Sequence, residues 1–342
     1  MKFGTLNMNP SFQIHKNEWF AFLQKSTEIY NVYVPVRYDN HIEYEILHDE
    51  TENITLNVAR PVTPLKTFLL PVKENVVINT SIHNKNIILG IPSCDLHALD
   101  LLDKIYLDQK FIDDSYRINR ENSIMIGTDC LEIHENCHCI SYGINPYPEV
   151  NYDISIASID GELIISVNSD KGEKLFNEFK SSYTVKETEK EKTDRIQERR
   201  KKIFSQLKEN NKSLPDYQKT GDLIQKSEDE LWERHAQTCV SCGACTTICP
   251  TCTCFLLIDR PDFEKVRQVD ACQYPGFERI AAGEDPLKKK FVRFRNRYLC
   301  KYIWRPEQFN SIACTGCGRC IDSCIGNINK NKIFIEMAGG GD

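Results

Sequence analysis

CVSCGACTTICP at residues 239–250 and CTGCGRCIDSC at residues 314–324 are the two stretches that decide the fold of the last third of this chain. In both stretches, three cysteines are spaced by two residues and a fourth follows after three more. Three thiolates at this spacing can wrap one 4Fe-4S cubane when the loop between them bends tightly, and a duplicated run is typical of a cluster pair. The sequence therefore predicts two 4Fe-4S clusters in this region.

The fourth cysteine of each run is expected to reach the other cluster, as it does in ferredoxins with two such runs. Gly243, Gly316 and Gly318 lie inside the loops, where the lack of a side chain lets backbone N–H groups point at the sulfides. The predicted ligands of the first cluster are Cys239, Cys242, Cys245 and Cys324. The predicted ligands of the second cluster are Cys314, Cys317, Cys320 and Cys249.

Zinc and disulfides are the rival explanations of the duplicated run. Zinc sites usually separate two CxxC pairs by a dozen or more residues, whereas here a third cysteine follows after only two. Adjacent CxxC pairs in a long chain without a secretory signal belong to a reducing compartment, which disfavours disulfides. The spacing therefore favours iron-sulfur clusters over both rivals.

Length and composition set the broad class of the protein. The chain has 342 residues, enough for about two domains, and its net charge of -6 gives no chain-wide attraction to nucleic acid. Its start lacks the apolar run of a signal peptide, and no stretch approaches the roughly twenty apolar residues that span a bilayer. We expect a cytoplasmic protein without a membrane segment, whose sixteen cysteines serve metal or redox chemistry.

The chain is predicted to have an α+β fold, with an N-terminal mixed α/β domain at residues 1–180 and a helical, two-cluster ferredoxin-like domain at residues 233–342. Residues 181–232 are predicted to form a charged helical linker, because KETEKEKTDRIQERRKK is dense in both charge signs. Three apolar residues of this segment still fall on one helical face: Ile196, Ile203 and Leu207.

Two predicted strands in the first domain end near a cysteine. NIILGI from Asn86 predicts a strand that turns at Pro92 into a helix starting near Cys94. SIMIGT from Ser123 predicts another strand, and DISIASIDGELIISV from Asp153 predicts a hairpin. The sequence therefore places thiols at strand ends, where loops carry function.

Four cysteines of the first domain lie outside the duplicated runs: Cys94, Cys130, Cys137 and Cys139. Because a fold brings loops at one edge of a sheet together, these thiols could converge on a third 4Fe-4S cluster. The alternative is that they are buried or reactive thiols without iron. Their number fits a cluster, but their spacing is not a standard run, and both interpretations stay open.

Another four cysteines lie around and between the two runs: Cys252, Cys254, Cys272 and Cys300. Cys252 and Cys254 follow directly on the first run and must lie close to iron. We expect these thiols to donate hydrogen bonds to cluster sulfides and tune the potential, with a fourth cluster as the alternative.

A basic and aromatic stretch, KKKFVRFRNRYLCKYIWR at residues 288–305, precedes the second run. Arginines interleaved with aromatic residues are also used by proteins that bind single-stranded nucleic acid. The acidic net charge and the lack of a second basic patch favour a solvated face that docks an acidic partner protein. We therefore expect protein partners rather than nucleic acid, and an iron-sulfur nucleic-acid-binding protein stays the alternative of another class.

Two fully ligated cubanes can pass electrons but offer no open iron for chemistry. The sequence has no GxGxxG loop and no P-loop to hold a nicotinamide, flavin or nucleotide, and no haem or siroheme attachment pattern. The chain is therefore predicted to be a non-catalytic electron-transfer subunit of an oxidoreductase complex.

The ordered cysteine phrases resemble the A subunit of anaerobic sulfite reductases from about Ile14 to Asn329, which is most of the chain. The phrases are CDLHAL at 94–99, DC at 129–130, NCHC at 136–139, CVSCGACTTICPTCTCF at 239–255, DACQYPGF at 270–277 and CTGCGRC at 314–320. In that family a flavin subunit oxidises NADH, the A subunit relays the electrons, and a siroheme subunit reduces sulfite to sulfide. The resemblance implies that this chain is the relay, with a flavin-containing NADH-oxidising subunit and a siroheme-containing catalytic subunit as partners.

The same pattern, with PLKTFLLP at 64–71, is also similar to the beta subunits of cytoplasmic sulfhydrogenases, which implies a nickel-iron partner instead. TTICPTCTCF looks closer to the sulfite reductase family, which makes the sulfite reductase relay the primary hypothesis. Two features depart from the bacterial ferredoxin pattern. Ile325 replaces the proline that usually follows the last cysteine, and a long insertion separates the two runs.

Overall fold

The computed structural model describes residues 11–49, 51–76, 84–108, 110–261 and 264–339. The strands are β1 Ser11–His15, β2 Asn31–Arg37, β3 Ile42–Ile46, β4 Lys73–Asn75, β5 Asn86–Ile91, β6 Ser123–Thr128, β7 Ile154–Ile159, β8 Glu162–Val167, β9 Lys186–Glu187, β10 Phe255–Asp259 and β11 Lys265–Val269. The predicted strands from Asn86 and Ser123 and the predicted hairpin are confirmed, the hairpin as β7 and β8.

Helices alternate with strands in the first half of the chain and make up most of the regular structure in the last third. They are α1 Lys16–Ser26, α2 Lys66–Leu69, α3 Ser93–Tyr106, α4 Asp114–Asn122, α5 Asp170–Lys180, α6 Lys190–Asn210, α7 Tyr217–Lys226, α8 Asp229–Ala236, α9 Ala244–Thr247, α10 Lys290–Leu299, α11 Arg305–Phe309, α12 Arg319–Asp322 and α13 Lys330–Met337. A 3-10 turn spans Cys139–Tyr142, and a π-helical segment spans Cys300–Trp304. No helix within the described part of the chain is long and apolar enough to cross a membrane.

The large sheet has eight strands in the order β3-β2-β5-β6-β7-β8-β1-β9. Its centre, from β2 to β7, is parallel, and antiparallel strands extend it on both sides. Parallel strands end at the same edge, so the residues after β5 and β6 lie close together. This is the edge that carries Cys94 and Cys130.

Apolar residues cover both faces of this sheet. Ile87 and Leu89 of β5 pack on one side with Trp19 of α1, whereas Ile88 and Ile91 pack on the other side with α3. Side chains of a strand point alternately to opposite faces, and this strand is hydrophobic throughout because helices cover both. The predicted mixed first half is therefore confirmed.

A third core lies around the duplicated cysteine runs and draws on both halves of the chain. Trp232 of α8 packs against Phe294 and Tyr298 of α10. Ile203 and Leu207 of α6 join the same core, which confirms the one-sided helix predicted in the charged segment. The helical elements of the last third therefore pack around the thiols.

A small sheet ties the first half to the last third. Its order is β10-β11-β4, and β4 at Lys73–Asn75 pairs antiparallel with β11 at Lys265–Val269. Three residues of the first half thus complete a sheet of the last third. This pairing joins strands on either side of the predicted domain boundaries at residues 180 and 233 but does not show where the boundaries lie. They therefore remain predictions.

Candidate iron-sulfur centre

The thiols predicted for the first cluster border one cavity, which we call the outer cavity. Its cysteines are Cys239, Cys242, Cys245, Cys324 and Cys320. The Cys242 side chain is exposed, so this cavity lies near the surface. The turn before α9 is made by Ser241 and Gly243, both with positive φ, which folds the first run back on itself.

The thiols predicted for the second cluster border a neighbouring cavity, which we call the inner cavity. Its cysteines are Cys249, Cys314, Cys317 and Cys320. Cys249, Cys314 and Cys317 are buried. Because Cys320 borders both cavities, the two sites are immediate neighbours.

The donor chemistry of both cavities fits a cubane cluster, which takes four cysteine thiolates. Each cavity is bordered by the four thiols that the spacing predicts, including the one from the other run. Within the described ranges, no group of three or more His, Cys, Asp or Glu is arranged to hold a single metal ion. The assignment of each thiol to its cluster stays a prediction.

Gly316 in the second run faces the backbone of the first half. It has φ of 64°, and a Cβ added there would lie 2.4 Å from the His138 carbonyl oxygen. The His138 N–H donates a 2.8 Å hydrogen bond to the Gly316 carbonyl. Only glycine fits here, because the loop with Cys137 and Cys139 lies directly on the second run.

Lys301 is the main cation of the inner cavity. Its side chain is 3% exposed, and its Nζ donates to Cys249 Sγ at 3.1 Å, to Thr251 Oγ1 at 2.7 Å and to the Ala313 carbonyl at 2.7 Å. Burial acts to lower the pKa of Lys301, but the neighbouring Cys249 and Cys252 thiols outweigh it and raise that pKa. The ammonium therefore stays charged beside a predicted ligand.

Lys330 brings a second buried ammonium to the same place. Its Nζ donates to His138 Nε2 at 2.7 Å and borders both cavities. Burial acts to raise the pKa of Cys314, but Lys330, a hydrogen bond with His138 and Lys301 hold it well below its usual value. Positive charge at these thiols favours the thiolate form that iron binds.

Arg297 serves both cavities. Its Nη2 donates to the Cys245 carbonyl at 3.0 Å, and its side chain is buried. Burial raises the pKa of Cys245 to about 11, although Arg297 acts in the opposite direction. The outer cavity thus shares one arginine and Lys330 with the inner cavity but does not reach Lys301.

Two of these cations, Arg297 and Lys301, belong to the basic stretch at residues 288–305. The interpretation of this stretch as a solvated docking face was wrong for three of its eight basic side chains. Arg293, Arg297 and Lys301 are buried, at intervals of four residues along one helical face. Arg305 continues the row and donates to the Thr251 carbonyl at 2.5 Å. The four-residue interval is the sequence signal that could have identified them.

Two side chains of the first half hold the second cysteine run. Asp95 forms a bidentate salt bridge with Arg319 of the second run, at 2.6 and 2.8 Å, and both side chains are completely buried. Arg60 donates to the Cys317 carbonyl and pairs with Asp322. Sequence reasoning missed these partners, because some 220 to 260 residues separate them along the chain.

The four thiols predicted for a third cluster lie near Cys317 of the inner cavity. Cys94 begins α3, and burial raises its pKa well above the usual value, with Asp95 adding to the shift. Burial also raises the pKa of Cys130, with contributions from Cys139 and Cys137, and the pKa of Cys139 to about 12. The four thiols are near neighbours, and iron at this set stays a prediction.

Two comparisons with known proteins bear on this centre. Residues 238–328 match the family model of the 4Fe-4S dicluster domain. Over 341 residues the chain is 29% identical to the sulfhydrogenase 2 subunit beta of Pyrococcus furiosus, with 96% of this chain and 98% of that protein covered.

The last third of the chain is therefore a 4Fe-4S dicluster domain, and the predicted α+β class with a C-terminal two-cluster domain is confirmed. The similarity to a sulfhydrogenase beta subunit supports the hydrogenase alternative better than the primary hypothesis of a sulfite reductase relay.

Proposed function

We propose that this chain is the electron-transfer subunit of a multisubunit oxidoreductase of the sulfhydrogenase kind. In this role it would carry electrons through two neighbouring 4Fe-4S clusters between a flavin-containing subunit and a nickel-iron catalytic subunit. The observation that carries the proposal is the pair of adjacent cysteine-bordered cavities that share Cys320. The near-full-length similarity to a sulfhydrogenase beta subunit supports the choice of partner.

The chain's own residues supply three parts of such a relay. Cysteine thiols hold the clusters, and when bound the clusters supply one-electron transfer. Lys301, Lys330 and Arg297 place positive charge at the thiols, and Asp95 with Arg319 fixes the second run against the first half. Burial of Cys249, Cys314 and Cys317 keeps water from the inner site.

A sulfite reductase relay is the second candidate. The phrase TTICPTCTCF at residues 246–255 favours it, because it looks closer to that family than to the sulfhydrogenases. In that case the partners would be a flavin-containing NADH-oxidising subunit and a siroheme-containing subunit. The role of this chain as a relay is the same in both cases.

Isolation of the native complex under anaerobic conditions separates the two candidates. Nickel together with iron, sulfide and flavin is the expected composition, and hydrogen-dependent reduction of a dye should co-purify with this chain. Siroheme without nickel would replace the first candidate with the second. Isolation of the chain as a monomer bound to single-stranded nucleic acid, with salt-dependent affinity, would contradict both.

A further inference from the structure

A second group of four thiols meets beside the inner cavity. Its members come from three separate segments: Cys252 and Cys254 before β10, Cys272 after β11, and Cys300 at the start of the π-helical segment. The Asp270 N–H donates to the Cys254 carbonyl at 3.0 Å, which joins the first two segments. The Cys254 and Cys272 thiols are hydrogen-bond partners.

Arg305 connects the third segment to the first. Its guanidinium donates to the Thr251 carbonyl at 2.5 Å and to Thr253 Oγ1 at 2.6 Å, so it is fixed on both sides of Cys252. The same guanidinium hydrogen-bonds the Cys300 thiol and lies near those of Cys252 and Cys254. One arginine therefore has three of the four thiols around it.

Lys66 supplies a second cation from the first half of the chain. Its side chain is buried, and its Nζ donates to the Cys252 carbonyl at 2.9 Å and to the Thr246 carbonyl at 3.3 Å. Burial lowers the pKa of Lys66, whereas the neighbouring thiols of Cys252, Cys249 and Cys254 act in the opposite direction. Buried lysine and arginine side chains are costly unless negative groups compensate them, and ionised thiolates would do so.

A cavity of about 200 Å³ borders this group. Its lining includes Lys66, Cys252, Cys254, Asp270 and Tyr106. The Cys252 thiol is also a hydrogen-bond partner of Cys249, a predicted ligand of the inner cavity. The group is therefore in contact with the predicted relay, and two of its thiols, Cys252 and Cys254, border open space.

We propose that Cys252, Cys254, Cys272 and Cys300 hold a third 4Fe-4S cluster, placed next to the inner cavity with Arg305 and Lys66 as its counter-charges. Four thiolates are the ligand set of such a cluster, and the two cations would offset its negative charge. That this cluster passes electrons to the inner one rests on the proposed function; that it binds iron does not.

The other candidate set has the opposite surroundings. The thiols of Cys94 and Cys130 lie near the carboxylates of Asp95 and Asp129, which disfavour further negative charge. The arginines around this set are already paired with carboxylates: Arg319 with Asp95, Arg60 with Asp322 and Arg200 with Asp129. The charges around them therefore distinguish the two groups of four thiols, which cannot be told apart by the number of cysteines alone.

The test is the iron and acid-labile sulfide content of the full chain, purified anaerobically and separated from its iron-containing partner subunits. The wild type should hold about twelve iron atoms per chain, and C254S/C272S should lose about four of them with equal sulfide. The C94S/C139S variant is the matched control and should keep its iron. Far-UV circular dichroism checks that each variant is folded.

A single substitution gives a second measurement that does not require the site to be emptied. Cys300→Ser removes one ligand, so the oxidised variant should show the electron paramagnetic resonance signal of a three-iron cluster, absent from the wild type. After reduction, the C254S/C272S variant should show one 4Fe-4S electron paramagnetic resonance signal fewer than the wild type. The signals of the remaining two clusters should persist.

Several results would overturn the inference. Unchanged iron in C254S/C272S with a loss in C94S/C139S would place the third cluster in the other set. About eight iron atoms in the wild type, unchanged by C254S/C272S, would overturn this inference and leave the relay intact. Zinc in place of the third cluster would overturn it as well, and a chain without iron would overturn both proposals.

Discussion

The outer and inner cavities are built from the same cysteine spacing, yet they differ in charge and burial. The outer cavity has the exposed Cys242 at its edge, whereas three of the four thiols of the inner cavity are buried. Lys301 borders the inner cavity and not the outer one. A duplicated motif can therefore provide two chemically different sites when the rest of the chain surrounds only one of them.

This difference bears on the direction of electron flow. Reduction adds negative charge to a cluster, and a nearby buried ammonium stabilises that charge, whereas burial by itself opposes it. Lys301 at 3.1 Å from Cys249 Sγ favours reduction of the inner cluster. We expect the inner cluster to have the higher potential and to accept electrons from the outer one.

The largest expected effect comes from removing one thiol from each cavity. Cys242→Ala and Cys317→Ala should each remove about four iron atoms and abolish electron transfer between the partner subunits, because a relay fails when either centre is missing. Dye-linked activity of the catalytic subunit should survive. Retention of subunit-to-subunit transfer in either variant would contradict the role of that cavity.

Asp95→Asn tests the buried salt bridge that holds the second cysteine run against the first half. It leaves Arg319 buried without a counter-charge, which should cost about 3–5 kcal/mol of the free energy of unfolding. Denaturant unfolding measures this loss, and the inner cluster should be lost from the protein before the outer one. Asp229→Asn, which affects an exposed pair with Arg295, is the control and should cost less than about 1 kcal/mol.

Gly316→Ala and Gly243→Ala compare the two cysteine loops directly. Both glycines have positive φ, so alanine is strained in either loop, by about 1–2 kcal/mol. The new Cβ at Gly316 would lie 2.4 Å from the His138 backbone carbonyl oxygen. At Gly243 it would meet side chains only: the partly exposed Tyr274 ring, which can move aside, and the Ala271 Cβ at 2.8 Å. Gly316→Ala should therefore destabilise more, and equal losses of thermal stability would argue that the first half does not press on the second run.

Lys301→Met tests the difference in potential. Removing the ammonium should make one cluster harder to reduce; a loss of about 2 kcal/mol corresponds to roughly 85 mV for a one-electron couple. Redox titration followed by electron paramagnetic resonance should show one potential moving and the other fixed. The exposed Lys288→Met is the matched control, and equal shifts of both clusters would show that Lys301 does not distinguish the cavities.

Much of the scaffold could be predicted from local sequence. The strands at Asn86 and Ser123, the hairpin, and the buried face of α6 all follow from hydrophobic periodicity, and the structure confirms them. The surroundings of the thiols could not be predicted in this way. Asp95 and Arg319 are neither periodic nor close in sequence, so nothing local indicates that they meet.

The basic stretch at residues 288–305 is a second case in which local sequence did not predict the surroundings of a side chain. Its composition suggested a solvated face, because lysine and arginine are mostly exposed in proteins. In the structure Arg293 donates to the carbonyls of Leu287 and Lys288, and Arg297 donates to that of Cys245. Charged residues can be buried when hydrogen bonds and negative groups compensate them, and the partners of Arg297 and Lys301 lie in other segments.

By itself the sequence determined that this chain carries two cysteine runs able to hold a cluster pair, because ligand spacing in one short loop is a local property. Tertiary structure alone decided that Lys301 borders the inner cavity and that Asp95 forms a salt bridge with the second run. It also decided which of the two remaining groups of four thiols lies near Arg305 and Lys66. The physical reason is that electrostatic interactions depend on distance in space, and folding brings together charges that lie far apart along the chain.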